Sequence, residues 1–141
     1  MKKGKNMVAE MGIVSLEQRD CVRVLAEKIQ QGYARSMPGS TLIDYLETEY
    51  RGLFCVQREF AEIGIICRVV QKYSEQDGLV TMIITESGIS YAERMKNTLC
   101  GLYWYLTKGI EGKDEVFTIS KENRNRDFAA EAFRFAAEFK F

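Results

Sequence analysis

The hydrophobic pattern of this chain changes period midway, and that change limits the folds open to it. Residues 65–73 and 79–85 are dense in β-branched and aliphatic side chains, and the polar stretch Ser74-Glu75-Gln76-Asp77-Gly78 separates them. Two such runs joined by a short loop containing Gly predict an antiparallel β-hairpin. Alternation puts Val80, Met82 and Ile84 on one face of its second strand, with Thr81 and Thr85 on the other. On either side of the hairpin the apolar residues recur every three or four positions instead, the spacing of helices that bury one face.

Ahead of the hairpin, Ser15-Leu16-Glu17-Gln18 has the form of a capping box, and Val22, Leu25, Ile29 and Tyr33 line one face of the helix it would start. Pro38-Gly39 breaks that helix, and Ser40 or Thr41 can cap a second one carrying Leu42, Ile43 and Leu46. Leu53, Val56, Phe60 and Ile63 step by three, four and three, which predicts a third helix over residues 53–63, closed by Gly64. After the hairpin, Thr85 is the expected cap of a long helix over about residues 89–108, with a seam of Ala92, Met95, Leu99, Leu102 and Leu106. Gly109 and Gly112 mark a loop and residues 116–119 a short strand. A last helix runs from Lys121 to the end on Phe128, Ala132, Phe135 and Phe139. The expected organisation is a flexible basic lead-in (1–14), one domain with its long helix (15–110) and a C-terminal helical extension (111–141).

With 141 residues, 46% of them hydrophobic, the chain can bury one core without staples. It contains no His, which removes the commonest general base and metal ligand. No catalytic residue is assigned, an enzyme is not expected, and no metal or other cofactor is called for. Cys21, Cys55, Cys67 and Cys100 form no close pair in sequence and read as reduced, mostly buried thiols. No leader pattern and no apolar run of the ~18 residues a membrane span needs is present, so a cytoplasmic location without membrane contact is expected.

Two segments carry a family resemblance. Phe60-Ala61-Glu62-Ile63-Gly64-Ile65-Ile66 resembles the end of the recognition helix and the start of the wing in MarR-like regulators. Thr85-Glu86-Ser87-Gly88-Ile89-Ser90-Tyr91-Ala92-Glu93-Arg94-Met95 is similar to the point where the second wing strand turns into the dimerisation helix in MarR-like and PadR-like families. The resemblance implies a winged helix-turn-helix, mainly α with a small β-hairpin (α+β), that acts as a dimeric transcriptional regulator. Its partners would be double-stranded DNA and a second copy. Arg51, Gln57 and Arg58 would then face bases, and Arg68 and Lys72 would contact phosphates. Long C-terminal helices would form the dimer interface through Leu99, Leu102, Tyr103, Leu106, Phe128, Phe135 and Phe139.

Charge opens a second reading. Lys plus Arg and Asp plus Glu both number 20, so the chain is formally neutral. Between residues 40 and 88 only Arg51, Arg58, Arg68 and Lys72 are basic, against eight acidic residues. Phosphate neutralisation supplies most non-specific DNA affinity, and this half is short of cations. Phe54 and Cys55 also fall at the start of the presumed recognition helix, where polar side chains would be expected to meet base edges. The alternative is a winged-helix protein-interaction module, for example a phage or mobile-element protein that engages a host factor.

Overall fold

The computed structural model describes residues 7–139, with side chains from Cys21 onward. It is an α+β fold in which four α-helices accompany a four-stranded mixed sheet. The order is α1 (Met7–Ala34), α2 (Leu42–Glu49), β1 (Leu53–Arg58), β2 (Ile65–Ser74), β3 (Gly78–Glu86), α3 (Tyr91–Thr107), a 3-10 turn (Gly109–Glu111), β4 (Glu115–Ser120) and α4 (Asp127–Ala137).

The predicted hairpin is present: β2 and β3 pair antiparallel, with Tyr73 opposite Leu79 and Cys67 opposite Thr85. The predicted third helix is not. Residues 53–58 form a strand, and residues 59–64 lead from it to β2 without helix, so the segment expected to read DNA bases is not a helix. The helical spacing of Leu53, Val56, Phe60 and Ile63 coexists with a strand signal in Leu53-Phe54-Cys55-Val56, which is aromatic and β-branched at alternate positions. Tertiary context decides between them. Leu53 and Cys55 are buried, and β3 offers its free side as a parallel partner from Leu53↔Thr81 to Arg58↔Glu86. Ile63, placed on the apolar stripe by spacing, is fully exposed.

The sheet order is β1-β3-β2-β4. β3 therefore inserts between β1 and β2, and β4 adds to the far side of β2. β3 and β4 both run opposite to β2, and α3 connects them. Parallel strands need a long crossover of this kind. The crossover lays α3 on one side of the sheet. There an added Cβ on Gly101 would meet Ile83 Cγ2 at 2.5 Å and Val69 Cγ2 at 3.2 Å, so the helix backbone lies almost on the two central strands. Trp104 stacks on Phe117 of β4 at 6.1 Å between ring centroids. Buried Gln71 ties the elements together: it accepts from Thr81 Oγ1 at 2.7 Å and donates to the carbonyls of Gly109 at 3.0 Å and Lys113 at 3.1 Å.

Several boundaries differ from the sequence reading. α1 starts at Met7, so residue 15 lies inside the helix, while the side chains of the expected Ser15–Gln18 capping box fall outside the described residues. Residues 1–6 of the expected lead-in also fall outside them. Thr41 caps α2 in a full capping box with Asp44. α3 is capped by Ser90, which accepts from the Glu93 amide at 3.2 Å, and not by Thr85, which belongs to β3. α4 starts at Asp127, after turns that follow β4, instead of at Lys121.

Gly101→Ala tests the contact between α3 and the sheet. Alanine improves intrinsic helix propensity by about 1 kcal/mol, but overpacking a closed core costs roughly 1–3 kcal/mol. Ile83 and Val69 are completely buried and have little room to retreat. The variant should be less stable, with a lower urea midpoint and an unchanged slope.

Candidate functional site

The two faces of the sheet have different surroundings. Leu53, Cys55, Cys67, Val69, Gln71, Thr81, Ile83, Thr85 and Ile119 face the helices and are buried. Residues of the opposite parity form the other face, whose middle rows are Phe54 and Val56 on β1; Val80, Met82 and Ile84 on β3; Arg68, Val70 and Lys72 on β2; and Val116 and Thr118 on β4, while Ile66, at the irregularity of β2, is buried. None of the ten in the middle rows is buried, and Phe54 is 46% and Val116 61% exposed. The sequence reading placed Val80, Met82 and Ile84 on one face correctly, but the buried face of β3 is that of Thr81, Ile83 and Thr85.

The register makes this outer face continuous. Phe54, Met82, Val70 and Val116 lie side by side across all four strands. Val56, Ile84, Arg68 and Thr118 form the next row, and Val80 lies beside Lys72 in the row beyond Met82 and Val70. At one corner, between Arg51, Phe54, Asp77 and Val80, is an open hollow of about 830 Å³. At the other end, the guanidinium of Arg68 lies 5.4 Å from the centre of the Phe60 ring, pairs with Glu62 at 3.2 Å and donates to Thr118 Oγ1 at 3.0 Å. The loop before β2 thus closes that end of the face.

Side chains engage part of both edges of the sheet. On β1 the Cys55 amide donates to Glu47 Oε2 at 2.8 Å. On β4 the Asn123 side chain accepts from the Ser120 amide at 2.9 Å and donates to the Thr118 carbonyl at 3.2 Å. Open strand edges invite pairing with other chains, and plugging their free amides and carbonyls suppresses it.

The cations selected from sequence are divided between the two ends of the sheet, Arg51 and Lys72 toward one and Arg58 and Arg68 toward the other. Arg51 precedes β1 and Arg58 ends it, seven residues or roughly 23 Å apart along an extended chain. Gln57 donates to the Glu86 carbonyl at 3.4 Å, Arg68 is engaged as described, and Lys72 is exposed on β2. The residues assigned to a dimer interface lie elsewhere than expected. Leu99, Leu102 and Phe135 are completely buried, Tyr103 and Phe139 nearly so, and Leu106 and Phe128 pack against the same core. Tyr103 contacts Phe128 and Phe135, both at 5.2 Å between centroids, and donates to Glu131 Oε1 at 3.0 Å. The residues that the resemblance assigns to a dimer interface are thus packed between α3 and α4 of one chain. Helical spacing over residues 53–63 hides the outer face from the sequence; the signal for a strand there is the short apolar run Leu53-Phe54-Cys55-Val56 with its aromatic and β-branched members.

No chemistry-bearing cluster competes with this surface. Among the described residues, no group of three or more Cys, Asp or Glu side chains could hold a metal ion. No described helix is long and apolar enough to cross a membrane. No protein-family model, curated protein or solved structure matches this chain.

The cysteines are free, with Cys21 exposed and Cys55, Cys67 and Cys100 buried. Burial pushes the Cys55 thiol up to about 12, with nearby Glu47 adding to the effect and Arg94 opposing it. Burial likewise raises Cys100 to about 12, and Cys67 well above the usual thiol range. A buried thiol holds its proton more tightly folded than unfolded. Its contribution to stability is therefore intact below pH 9, where unfolded thiols titrate, and is lost as the pH rises toward 12. In thiol titration near neutrality, Cys21 should react quickly and the other three only after denaturation. The urea midpoint should fall across the same alkaline window.

Proposed function

We propose that this chain is a protein-interaction module whose working surface is the outer face of its sheet. The observation that carries this reading is the row Phe54, Met82, Val70 and Val116, apolar across four strands and left without helical cover among the described residues. An antiparallel sheet face left to solvent ordinarily alternates to polar residues. In its three middle rows this one has Val, Met, Ile and Phe at seven of ten positions, with Arg58, Ser74, Glu86 and Ser120 at the strand ends. Contiguous apolar surface of this kind marks interaction sites. The partly engaged edges support the same reading, since they favour contact at the face.

Duplex DNA as the partner has less support. The recognition segment is a strand and a loop, Arg68 is already paired, and Arg51 and Arg58 lie at opposite ends of an edge strand. The winged-helix resemblance therefore contributes its hairpin to the proposal and not its groove-reading helix.

The test uses Phe54→Lys and Val116→Lys, at positions exposed enough for the fold to tolerate a charge, with Val24→Lys on α1, itself 60% exposed, as the control. Immobilised parent protein should capture a defined partner from extracts of the source cell. Both face variants should reduce capture at least about tenfold, the equivalent of roughly 1.4 kcal/mol, and the control should not. The same proteins are titrated against random duplex DNA by fluorescence anisotropy. Tight, salt-sensitive duplex binding lost in Arg51→Ala and Arg58→Ala, with the face variants unaffected, would restore the DNA reading.

A further inference from the structure

We infer that the occupant of the outer face is a second copy of this chain, packed sheet against sheet about a two-fold axis running parallel to the strands. This rests on the protein-binding reading above and names the partner.

Side-chain size carries the orientation. Across the central row, Phe54 and Met82 are large and belong to β1 and β3, while Val70 and Val116 are small and belong to β2 and β4. A rotation about an axis along the strands exchanges the two halves of the sheet. It sets Phe54 over Val116 and Met82 over Val70 of the partner, large against small at all four positions. Facing layers interdigitate best in that way. In the next row the same rotation sets Val56 over Thr118 and Ile84 over the aliphatic stem of Arg68, whose charge Glu62 already neutralises. Lys72 comes over Val80, from where its long stem can carry the ammonium to the rim. A two-fold across the strands would instead stack Phe54 on Phe54 and set Arg68 opposite Lys72, two cations facing each other.

Charge and area agree with a second copy. The formal net charge is zero, so two copies meet without long-range repulsion. Four strands about 4.8 Å apart and three rows about 6.7 Å apart give a face of roughly 19 by 20 Å. Including side-chain relief, two such faces bury an area at the low end of specific interfaces, below about 1,200 Å² in total. The association is accordingly weak and reversible. Side chains take up part of each sheet edge, which favours stacking in the aligned manner of a sandwich over extension into one continuous sheet.

The experiment has three arms, all in a Cys21→Ser background. Sedimentation equilibrium from about 1 to 300 µM should show a monomer–dimer equilibrium, weakened at least about tenfold by Phe54→Lys. Phe54→Val and Val116→Phe should each weaken the dimer, and the double variant should recover it, because the swap restores large against small. In the third arm, chains carrying Phe54→Cys are mixed with chains carrying Val116→Cys and treated with a bis-maleimide of about 10 Å reach, matched to the spacing of stacked sheets. The mixture should cross-link well and Phe54→Cys alone poorly. Efficient linking of Phe54→Cys to itself would overturn the proposed axis, and failure of the size swap to rescue would overturn the packing that defines it. A monomer at every concentration, with partner capture still lost in Phe54→Lys, would overturn the second copy and leave the protein-binding reading in place. A monomer whose partner capture is indifferent to Phe54→Lys and Val116→Lys would remove both. Circular dichroism and a thermal melt confirm that each variant is folded.

Discussion

The closeness of α3 to the two central strands is the constraint on which the rest of the structure depends. Gly101 lets the helix backbone settle onto Ile83 and Val69, and that approach commits one side of the sheet to the helices. Around it the buried Gln71 amide is fully engaged, while Thr85 Oγ1 and Trp104 Nε1 are buried without a hydrogen-bond partner among the described residues. Gln71 joins β2 to Thr81 of β3 and to the carbonyls that follow α3. A core closed in this way leaves little freedom in where α4 packs, and Tyr103, Phe128 and Phe135 join α4 to α3 through aromatic contacts.

The consequence for function is asymmetry. With α3 on one face and no described helix on the other, the strands present apolar side chains on both sides. The sheet edges are managed separately, by Glu47 on β1 and Asn123 on β4. Edge pairing satisfies backbone groups without regard to side chains, so engaging part of each edge shifts selectivity to the face, where shape and size decide which partner fits. The loop of residues 59–64 adds to this, since Phe60 and Glu62 hold Arg68 in place and keep its charge from standing alone on an apolar surface.

Much of the local structure was legible in the sequence because short-range physics determined it. The hairpin followed from the density of β-branched residues on either side of a turn, and the α2 cap was narrowed to Ser40 or Thr41, of which Thr41 makes the capping box with Asp44. The free and mostly buried cysteines followed from composition and spacing. β1 was not legible. Leu53, Val56, Phe60 and Ile63 fit a helical spacing as well as Leu53-Phe54-Cys55-Val56 fits a strand. The deciding term was the free side of β3, some thirty positions away in sequence.

The sequence by itself determined which segments are amphipathic, where they are interrupted, and that no imidazole chemistry is available to this chain. Tertiary structure decided which apolar residues are spent on the core and which are left over. The residues of α3 and α4 expected at a dimer contact are spent on the core once the two helices pack together, while Phe54, Val70, Met82 and Val116 become one surface only when the strands align them on the side away from α3. Periodicity reports that a side chain is apolar and which neighbours share its face. Which face is covered depends on where a distant helix comes to rest, and that is settled by close packing across the whole fold.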